Sequence, residues 1–255
     1  MIDSLARVHS NSVIGENVQI GPFSTIHHDV EIGSGTVIYS NATVMPGARI
    51  GKDCRIFPGA VISAIPQDLK FKGEKTTAEI GDRTTIRECA TVNRGTSALG
   101  KTVVGSDCLI MAYAHIAHDC EIGNHCIFSN VATLSGHIQV GDYVTISGLT
   151  AVHQHCRIGN YAFIAGGSLV RMDVPPYVKV AREPLAYMGI NSLRLERLGF
   201  TLDEINELQN VYRIIYQGNL NLKNALEKIK QTIHISPKID NIISFYENSS
   251  RGVIR

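Results

Sequence analysis

Tryptophan is absent from the sequence, aromatic residues are few, and net charge is close to zero. Phe and Tyr make up 6% of the 255 residues, and the formal net charge is +1. Proteins that bind nucleic acid by neutralising phosphates carry an excess of Lys and Arg, so the composition disfavours that class. The sequence also lacks the run of about 18 apolar residues that a membrane-spanning helix needs. We therefore expect neither a nucleic-acid partner nor an integral membrane segment.

A secretory signal peptide and a zinc-binding cysteine pattern are also lacking. Asp3 and Arg7 interrupt the apolar stretch that a signal peptide would need, so we expect a cytoplasmic protein. The 6 cysteines include no CxxC pair. Structural disulfides are rare in intracellular proteins, so we expect free thiols that pack as small hydrophobic groups.

A large aliphatic residue recurs at every sixth position from Ile2 to Val170. Of the 29 positions in this register, only Asp68, Glu74 and Ala98 lack a large aliphatic or aromatic side chain. The second position of each hexad is often glycine, and the fifth is small or compact. The fifth position includes five of the cysteines, which are Cys54, Cys108, Cys120, Cys126 and Cys156.

A period of six residues fits neither an α-helix nor a simple strand. It indicates a hexapeptide β-helix, in which three hexads form one triangular coil of 18 residues. The large residues are expected to point into the prism. Gly or Asn is expected to supply turn conformations that are awkward for other residues. The fold class predicted is mainly β, a parallel β-helix of hexapeptide repeats.

Two segments interrupt the repeat, at residues 63–79 and 97–103. Neither keeps the hexad pattern, so both are expected to leave the prism as loops. Long excursions from a regular solenoid are often functional, although neutral insertions also occur.

The period changes to that of α-helices in the C-terminal part of the chain. Thr201 begins a capping box, and further helices are predicted after Asn221 and from Pro237. We expect a β-helix over residues 1–188 and a small α-helical domain over residues 189–255.

Several histidines share one part of the prism. Residues 18 apart lie in register on neighbouring coils, about 4.8 Å apart. Gly136 is therefore expected to lie above His118, and Gln154 above Gly136, while His137 lies above Asp119. None of these residues occupies a core position, so all are expected to face outward or to lie at a corner.

This arrangement suits an acyl transfer to a hydroxyl group. Such a reaction needs a base with a pKa near neutrality and a hydrogen-bond donor for the thioester oxyanion. His118 is the candidate base, and the backbone N–H of Gly136 is the candidate donor. The alternative for any single histidine is a solvated corner residue.

A zinc site is a second interpretation of the histidines. Some hexapeptide β-helices, such as the gamma-class carbonic anhydrases, bind zinc through three histidines between subunits. His115, His118, His137 and His153 are sufficient in number. Neither the 63–79 segment nor the helical domain has a role in that scheme, so we expect no metal.

Residues 114–126, AHIAHDCEIGNHC, closely resemble the UDP-N-acetylglucosamine O-acyltransferases that begin lipid A synthesis. The other matching segments are PQDLKFKGE (66–74), IGDRTTIRECATVNRGT (80–96), LSGH (134–137), TAVHQHCRIG (150–159), DVPPYV (173–178) and SSRGVIR (249–255). The resemblance extends from Met1 to Arg255. It implies a left-handed β-helix and the transfer of an (R)-3-hydroxyacyl group from acyl carrier protein to the glucosamine 3-hydroxyl of UDP-N-acetylglucosamine.

The resemblance also implies roles for individual residues. His118 corresponds to the general base and Gly136 to the backbone oxyanion donor, while Asp119 would help to hold or polarise the site. The alternation of side chains along a strand leaves a direct contact between Asp119 and His118 open. The implied substrate-binding residues are Asp68, Lys70, His115, His137, His153, Gln154, Asn191 and Arg197.

The chain departs from the family pattern at three positions. Asn93 stands where the family often has His, Leu193 where an acidic residue is expected, and Leu198 where a second arginine is expected. Gly166 lies where the family varies the residue that limits acyl length. The absence of a side chain there predicts a long hydroxyacyl substrate.

The resemblance further implies a homotrimer with sites in clefts between prisms, and no cofactor. Two other functions remain open. One is a related transferase, either the N-acyltransferase of the same pathway or a CoA-dependent acetyltransferase. The N-acyltransferases usually carry a uridine-binding domain ahead of the repeat, whereas this repeat begins at Ile2. The other is a non-catalytic solenoid, which full activity of a His118→Ala variant would support.

Overall fold

The hexads form a prism of short parallel strands that is followed by four helices. The computed structural model describes residues 1–255. The strands are β1 (Arg7–Val8), β2 (Val13–Ile14), β3 (Gln19–Ile20), β4 (Thr25–Ile26), β5 (Glu31–Ile32), β6 (Val37–Ile38), β7 (Thr43–Val44), β8 (Ala48–Ile50), β9 (Arg55–Ile56), β10 (Val61–Ala64), β11 (Thr77–Ile80), β12 (Thr85–Ile86), β13 (Thr91–Asn93), β14 (Lys101–Val104), β15 (Leu109–Ile110), β16 (His115–Ile116), β17 (Glu121–Ile122), β18 (Ile127–Phe128), β19 (Thr133–Leu134), β20 (Gln139–Val140), β21 (Thr145–Ile146), β22 (Ala151–Val152), β23 (Arg157–Ile158), β24 (Phe163–Ile164), β25 (Leu169–Val170), β26 (Val178–Ala181) and β27 (Ala186–Ile190). The helices are α1 (Ser192–Arg197), α2 (Leu202–Gln217), α3 (Leu222–Thr232) and α4 (Pro237–Glu247).

Successive strands belong to three different sheets. Sheet 1 runs from β1 to β25, sheet 2 from β2 to β23, and sheet 3 from β3 to β24 and on to β26 and β27. The pairing is parallel and in register, for example between His115 and Thr133 and between Ile116 and Leu134. The parallel β-helix predicted from the hexads is therefore confirmed.

The turns between sheets stack into three corners, which position the residues discussed below. Corner 1–2 joins sheet 1 to sheet 2 and contains residues 117–120, 135–138 and 153–156. Corner 2–3 joins sheet 2 to sheet 3 and contains residues 123–126, 141–144 and 159–162. Corner 3–1 joins sheet 3 to sheet 1 and contains residues 129–132, 147–150 and 165–168.

The interior of the prism is a ladder of aliphatic side chains. Ile56, Ile86, Ile110 and Leu134 are all fully buried, and burying such a side chain contributes about 1.5–3 kcal/mol relative to leaving it exposed. The five cysteines at the fifth hexad position are free and buried, as expected, whereas Cys89 is free and exposed.

The role expected for the glycines is only partly correct. The left-handed turn conformation is taken by the fourth residue of the hexad, which includes large residues such as Tyr143 (φ 59°) and Val131 (φ 63°). Glycines at the second position, such as Gly33, do not have positive φ. A Cβ atom added at Gly33 would lie 2.6 Å from the backbone carbon of Gly51 on the next coil. These glycines therefore permit close packing of coils.

Both interruptions of the repeat lie at corner 1–2, but the first is shorter than the sequence predicts and the second begins and ends three residues earlier. Residues 65–76 connect β10 to β11, and residues 94–100 connect β13 to β14. Residues at the edges of both expected loops instead join sheets, since Ala78 pairs with Ala48 and Val103 pairs with Glu121. Backbone pairing with neighbouring coils thus continues where the hexad pattern is lost.

The helices pack on the end of the prism. Thr201 accepts a hydrogen bond from the backbone of Glu204, which confirms the predicted capping box, and Asn221 and Ser236 cap α3 and α4. The Tyr212 hydroxyl of α2 donates to the carbonyl of Pro176. Helix α1 and the antiparallel β26–β27 hairpin were not predicted from the sequence. None of the 4 helices has the length and apolar character that crossing a bilayer requires.

Candidate active site

His118 and Asp119 form a hydrogen-bonded pair at corner 1–2. The Nδ1 atom of His118 lies 2.8 Å from Oδ2 of Asp119. Asp119 has φ +58°, because residues 118 and 119 form the corner turn and do not continue strand β16. The side chains of a turn do not alternate, which is why the direct contact exists. A carboxylate at Nδ1 favours the tautomer with the proton on Nδ1, so Nε2 carries the free lone pair of a base.

Asp119 is buried, contrary to the expectation that it faces outward. The 94–100 loop covers the carboxylate. The Oδ1 atom of Asp119 accepts hydrogen bonds from the backbone N–H groups of Thr96 (2.9 Å) and Leu99 (3.2 Å), and the Oδ2 atom accepts one from the Thr96 hydroxyl (2.6 Å). Burial alone would raise the pKa of Asp119, but the hydrogen bonds from Thr96, His118 and Leu99 hold it below its usual value. The carboxylate is therefore ionised when it orients His118.

We expect an Asp119→Asn substitution to lower kcat by about tenfold to 100-fold, because the side chain would no longer favour the reactive tautomer of His118. The carboxylate accepts four hydrogen bonds with two oxygens, whereas an amide has only one oxygen to accept them. The effect on stability should depend on pH. A depressed pKa contributes stability that is present above the unfolded value, about 3.9, and is lost as pH falls through the folded value. Denaturant unfolding at pH 7 and pH 3 should show a larger difference between wild type and variant at pH 7. An equal difference at both pH values would show that the charge of Asp119 is not the cause.

Gly136 lies directly against the His118 ring, as the coil register predicts. The backbone N–H of His137 donates to the carbonyl of His118 at 3.0 Å, which fixes the two coils in register. A Cβ atom at Gly136 would lie 2.5 Å from Cε1 and 2.7 Å from Nε2 of His118. Only glycine leaves room for the ring in this position.

The backbone N–H of Gly136 is available to a ligand. It donates to no backbone or side-chain acceptor. The equivalent turn position of corner 1–2 is occupied by Pro46 on a lower coil, and proline has no N–H to donate. This N–H is therefore not needed for coil pairing.

The 65–76 loop brings Asp68 to the other side of His118. Oδ2 of Asp68 lies 4.0 Å from Nε2 of His118, too far for a direct hydrogen bond. A hydroxyl group could lie within hydrogen-bond distance of both atoms. The Asp68 side chain also accepts from the backbone N–H of Lys70 at 2.9 Å, which shapes the loop tip. The Lys70 side chain is exposed at that tip.

Two further histidines of the predicted site, His137 and His115, lie near His118, and both have lowered pKa values that favour the neutral ring. Burial lowers the pKa of His137, and its neighbours His155 and His118 lower it further, outweighing Asp119 and Asp68. The ring of His137 stacks on that of His155 at 4.6 Å and meets that of His118 edge to face at 5.1 Å. Burial also lowers the pKa of His115, whose Nδ1 lies 2.7 Å from the Thr91 hydroxyl.

His153 and Gln154 lie on the next coil of corner 1–2, and both are exposed. The carbonyl of Gly136 accepts from the backbone N–H of His155 at 3.2 Å, so these residues continue the column above Gly136. An Arg251 nitrogen lies 3.1 Å from Nδ1 of His153. No sequence pattern predicts this contact, which joins residues 98 positions apart.

The remaining predicted residues lie away from corner 1–2. Asn191 is buried at corner 2–3, where its side chain donates to the carbonyl of Tyr161 at 3.0 Å. Arg197 is exposed at the end of α1. Gly166 lies at corner 3–1. A single chain therefore does not bring these three residues to His118.

The three departures from the family pattern have different surroundings. Asn93 is 2% exposed, and its Oδ1 atom has no hydrogen-bond partner. Leu193 is exposed on α1, and Leu198 is its C-terminal cap. Both leucines therefore lie on or next to α1, the helix that ends at Arg197, and not at the corner that contains His118.

The zinc interpretation has partial geometric support. Ligand atoms of His118, Asp119 and His137 lie within 4.8 Å of one another. However, Oδ2 of Asp119 already accepts hydrogen bonds from the Thr96 hydroxyl and from Nδ1 of His118, so two of the three groups are already engaged. The other two expected ligands, His115 and His153, are not part of this cluster.

The fold and the site together define a class, the hexapeptide-repeat transferases. The hexapeptide-repeat model matches residues 11–45, 29–64 and 101–136, and a model described as UDP-N-acetylglucosamine O-acyltransferase, domain 2, matches residues 173–254. An acyl-[acyl-carrier-protein]–UDP-N-acetylglucosamine O-acyltransferase of Chlorobaculum parvum is 58% identical over 98% of this chain and 96% of its own length. One of Chlorobium phaeobacteroides is 61% identical over the same shares of the two chains.

Solved structures agree with these relatives. A UDP-N-acetylglucosamine acyltransferase of Bacteroides fragilis is 50% identical, with a TM-score of 0.99 over 100% of both chains. One of Francisella novicida is 40% identical, with a TM-score of 0.97 over 100% of this chain and 94% of the other. The chain belongs to the family of acyl-[acyl-carrier-protein]–UDP-N-acetylglucosamine O-acyltransferases.

Proposed function

We propose that the protein transfers an (R)-3-hydroxyacyl group from acyl carrier protein to the glucosamine 3-hydroxyl of UDP-N-acetylglucosamine, the first step of lipid A biosynthesis. The observation that carries the proposal is the His118–Asp119 pair beside Gly136, at the corner that both loops cover. The names of the relatives support the choice of the donor and the acceptor.

The chemistry follows from the free lone pair of His118. Its Nε2 takes the proton of the 3-hydroxyl, and the oxygen attacks the carbonyl carbon of the thioester. The Gly136 N–H donates to the oxyanion that forms. The C–S bond then breaks, and the proton on His118 passes to the departing thiolate of the carrier. Asp119 stabilises the imidazolium between the two proton transfers, because it remains ionised.

A homotrimer would complete the site. Asn191 and Gly166 lie at corners other than that of His118, so one chain cannot supply all three to one substrate. Corner 3–1 exposes a column of side chains that is mostly apolar, a surface that marks protein contacts. Its members include Leu5 (60% exposed), Phe23 (63%), Tyr113 (63%) and Leu149 (70%). We propose that this column packs against corner 1–2 of a neighbouring copy, with Gly166 facing its His118.

In this arrangement a Gly166→Met substitution should shorten the preferred acyl chain. Beyond the carbonyl of Gly148 at 3.2 Å, little surrounds the position of a Cβ atom at Gly166, so a methionine would extend into the cleft. Each methylene that can no longer be buried costs about 0.8 kcal/mol, or roughly fourfold in kcat/KM. Competition between long and short hydroxyacyl carriers measures the change. An unaltered preference would show that Gly166 does not face the acyl chain.

The direct test is a transfer assay with purified protein, UDP-N-acetylglucosamine and a panel of 3-hydroxyacyl carriers. We expect acylation at the 3-oxygen and a molecular mass in solution of three chains. Efficient turnover with acetyl-CoA in place of the carrier would support the CoA-dependent alternative. A strong preference for a 3-amino acceptor would contradict the proposed O-acylation.

A further inference from the structure

The last residues of the chain return to the corner that contains the candidate site. The C-terminal tail, residues 248–255, forms a parallel bridge between Val253 and Asp173, and Ile254 donates to the carbonyl of Asp173 at 3.1 Å. Asp173 is fully buried, and its carboxylate accepts from the Ser249 hydroxyl at 2.8 Å. The tail is therefore held along corner 1–2, above Gln154.

Within this tail, Arg251 is directed at the predicted site. Its Nη2 atom lies 3.1 Å from Nδ1 of His153, and its Nε atom is buried without a hydrogen-bond partner. The same Nδ1 atom lies 3.2 Å from the carbonyl of Gln154. His153 thus has two competing partners at one ring nitrogen.

The two partners require opposite tautomers of His153. A carbonyl only accepts, so contact with Gln154 requires the proton on Nδ1. A guanidinium only donates, so contact with Arg251 requires Nδ1 to accept and places the proton on Nε2. Arg251 therefore favours the tautomer in which the outer nitrogen of an exposed ring donates a hydrogen bond.

We propose that Arg251 is a positioning residue that holds His153 as an Nε2–H donor to a phosphate oxygen of the bound substrate. The positive charge of Arg251 close behind the ring favours an anionic acceptor. Both substrates of the proposed reaction carry phosphate, in the sugar nucleotide or in the phosphopantetheine arm of the carrier. The inference rests on the proposed function for the identity of the ligand, whereas the tautomer can be observed in the free protein.

The first experiment compares Arg251→Met with wild type in steady-state transfer. We expect the KM of one substrate to rise about fivefold to tenfold, the loss typical of one hydrogen bond, with kcat changed less than twofold. The substrate whose KM rises identifies which phosphate His153 contacts. Arg251→Lys, which keeps a charged donor, should restore part of the affinity. A change in kcat with both KM values unaltered would overturn the proposal.

A double-mutant cycle separates positioning of His153 from docking of the tail. Arg251→Met should raise KM less than twofold in a His153→Ala background, because its effect passes through that ring. Ser249→Ala removes another tail contact and should leave both KM values unchanged. The proposal would be overturned if Ser249→Ala raised KM as much as Arg251→Met does. It would also be overturned if Arg251→Met raised KM as much in the His153→Ala background as in wild type.

The tautomer itself gives a readout that does not need turnover. In ¹⁵N-histidine-labelled protein, we expect the His153 signals of wild type to show a protonated Nε2, and those of Arg251→Met to shift towards protonated Nδ1. Identical signals in the two proteins would contradict the inference even if the enzyme is active. Absence of transfer by wild-type protein with the expected tautomers would instead refute the proposed function.

Discussion

Replacement of His118 by alanine should lower kcat/KM by about 1,000-fold, because the proposed reaction would lose the group that accepts the proton from the 3-hydroxyl. The Gly136 N–H and the substrate contacts remain, so a residual rate above the uncatalysed one is expected. His118 lies in a surface turn with 12% of its side chain exposed, so its removal leaves no cavity in the prism. Steady-state transfer with the preferred hydroxyacyl carrier measures the loss.

His234 offers a matched control for this variant. It is exposed in the connection between α3 and α4, outside the prism. His234→Ala should keep kcat/KM within about twofold of wild type and unfold at nearly the wild-type temperature. His118→Ala also loses a hydrogen bond to the buried Asp119, so it should unfold at a slightly lower temperature. Full activity of His118→Ala would show that His118 is not the base and would favour a non-catalytic role for this corner.

Gly136→Ala should lower kcat by about 100-fold without unfolding the protein. The added methyl group would lie 2.5 Å from Cε1 of His118, so the ring has to leave its position beside Asp119. Gly136 does not have positive φ, so alanine causes no backbone strain there. Alanine also retains the backbone N–H. The loss should therefore come from displacement of the base, since a rate effect of this size follows from misplacement by about 1 Å.

The His118→Ala background distinguishes this mechanism from damage to the oxyanion donor. If Gly136→Ala acts by displacing the His118 ring, it should lower kcat by less than about threefold in the variant that already lacks that ring. An additional 100-fold loss in that background would show that the N–H of residue 136 itself had moved. Activity close to wild type in the single variant would show that the ring and Gly136 are not packed as described.

The prism could be predicted from the sequence because its structure repeats with the chain. One large aliphatic residue every six positions defines the coil, and the coil register then places Gly136 above His118. Helix α1 could not be predicted in the same way. It has 6 residues, no side-chain cap and no acidic residue in its first turn, so the usual signals of a helix start are missing. Continuation of β11 and β14 beyond the hexad pattern depends on pairing with neighbouring coils, which local sequence does not encode.

The site was predictable where it follows the coil register and not where loops or the tail reach it. The His118–Asp119 contact depends on the corner turn, whose backbone conformation is adopted by many residue types in this chain. The hydrogen bonds from Thr96 and Leu99 use backbone N–H groups, which have no sequence signature. Arg251 meets His153 across 98 residues of chain, and only the folded tail brings them together.

The central claim is that His118 takes its proton from the sugar, and a structure of the protein with UDP-N-acetylglucosamine tests it most directly. We expect the 3-oxygen of glucosamine within about 2.6–3.2 Å of His118 Nε2, at corner 1–2 and opposite Asp68. A sugar bound at another corner, or one whose 3-oxygen is out of hydrogen-bond reach of that nitrogen, would contradict the account.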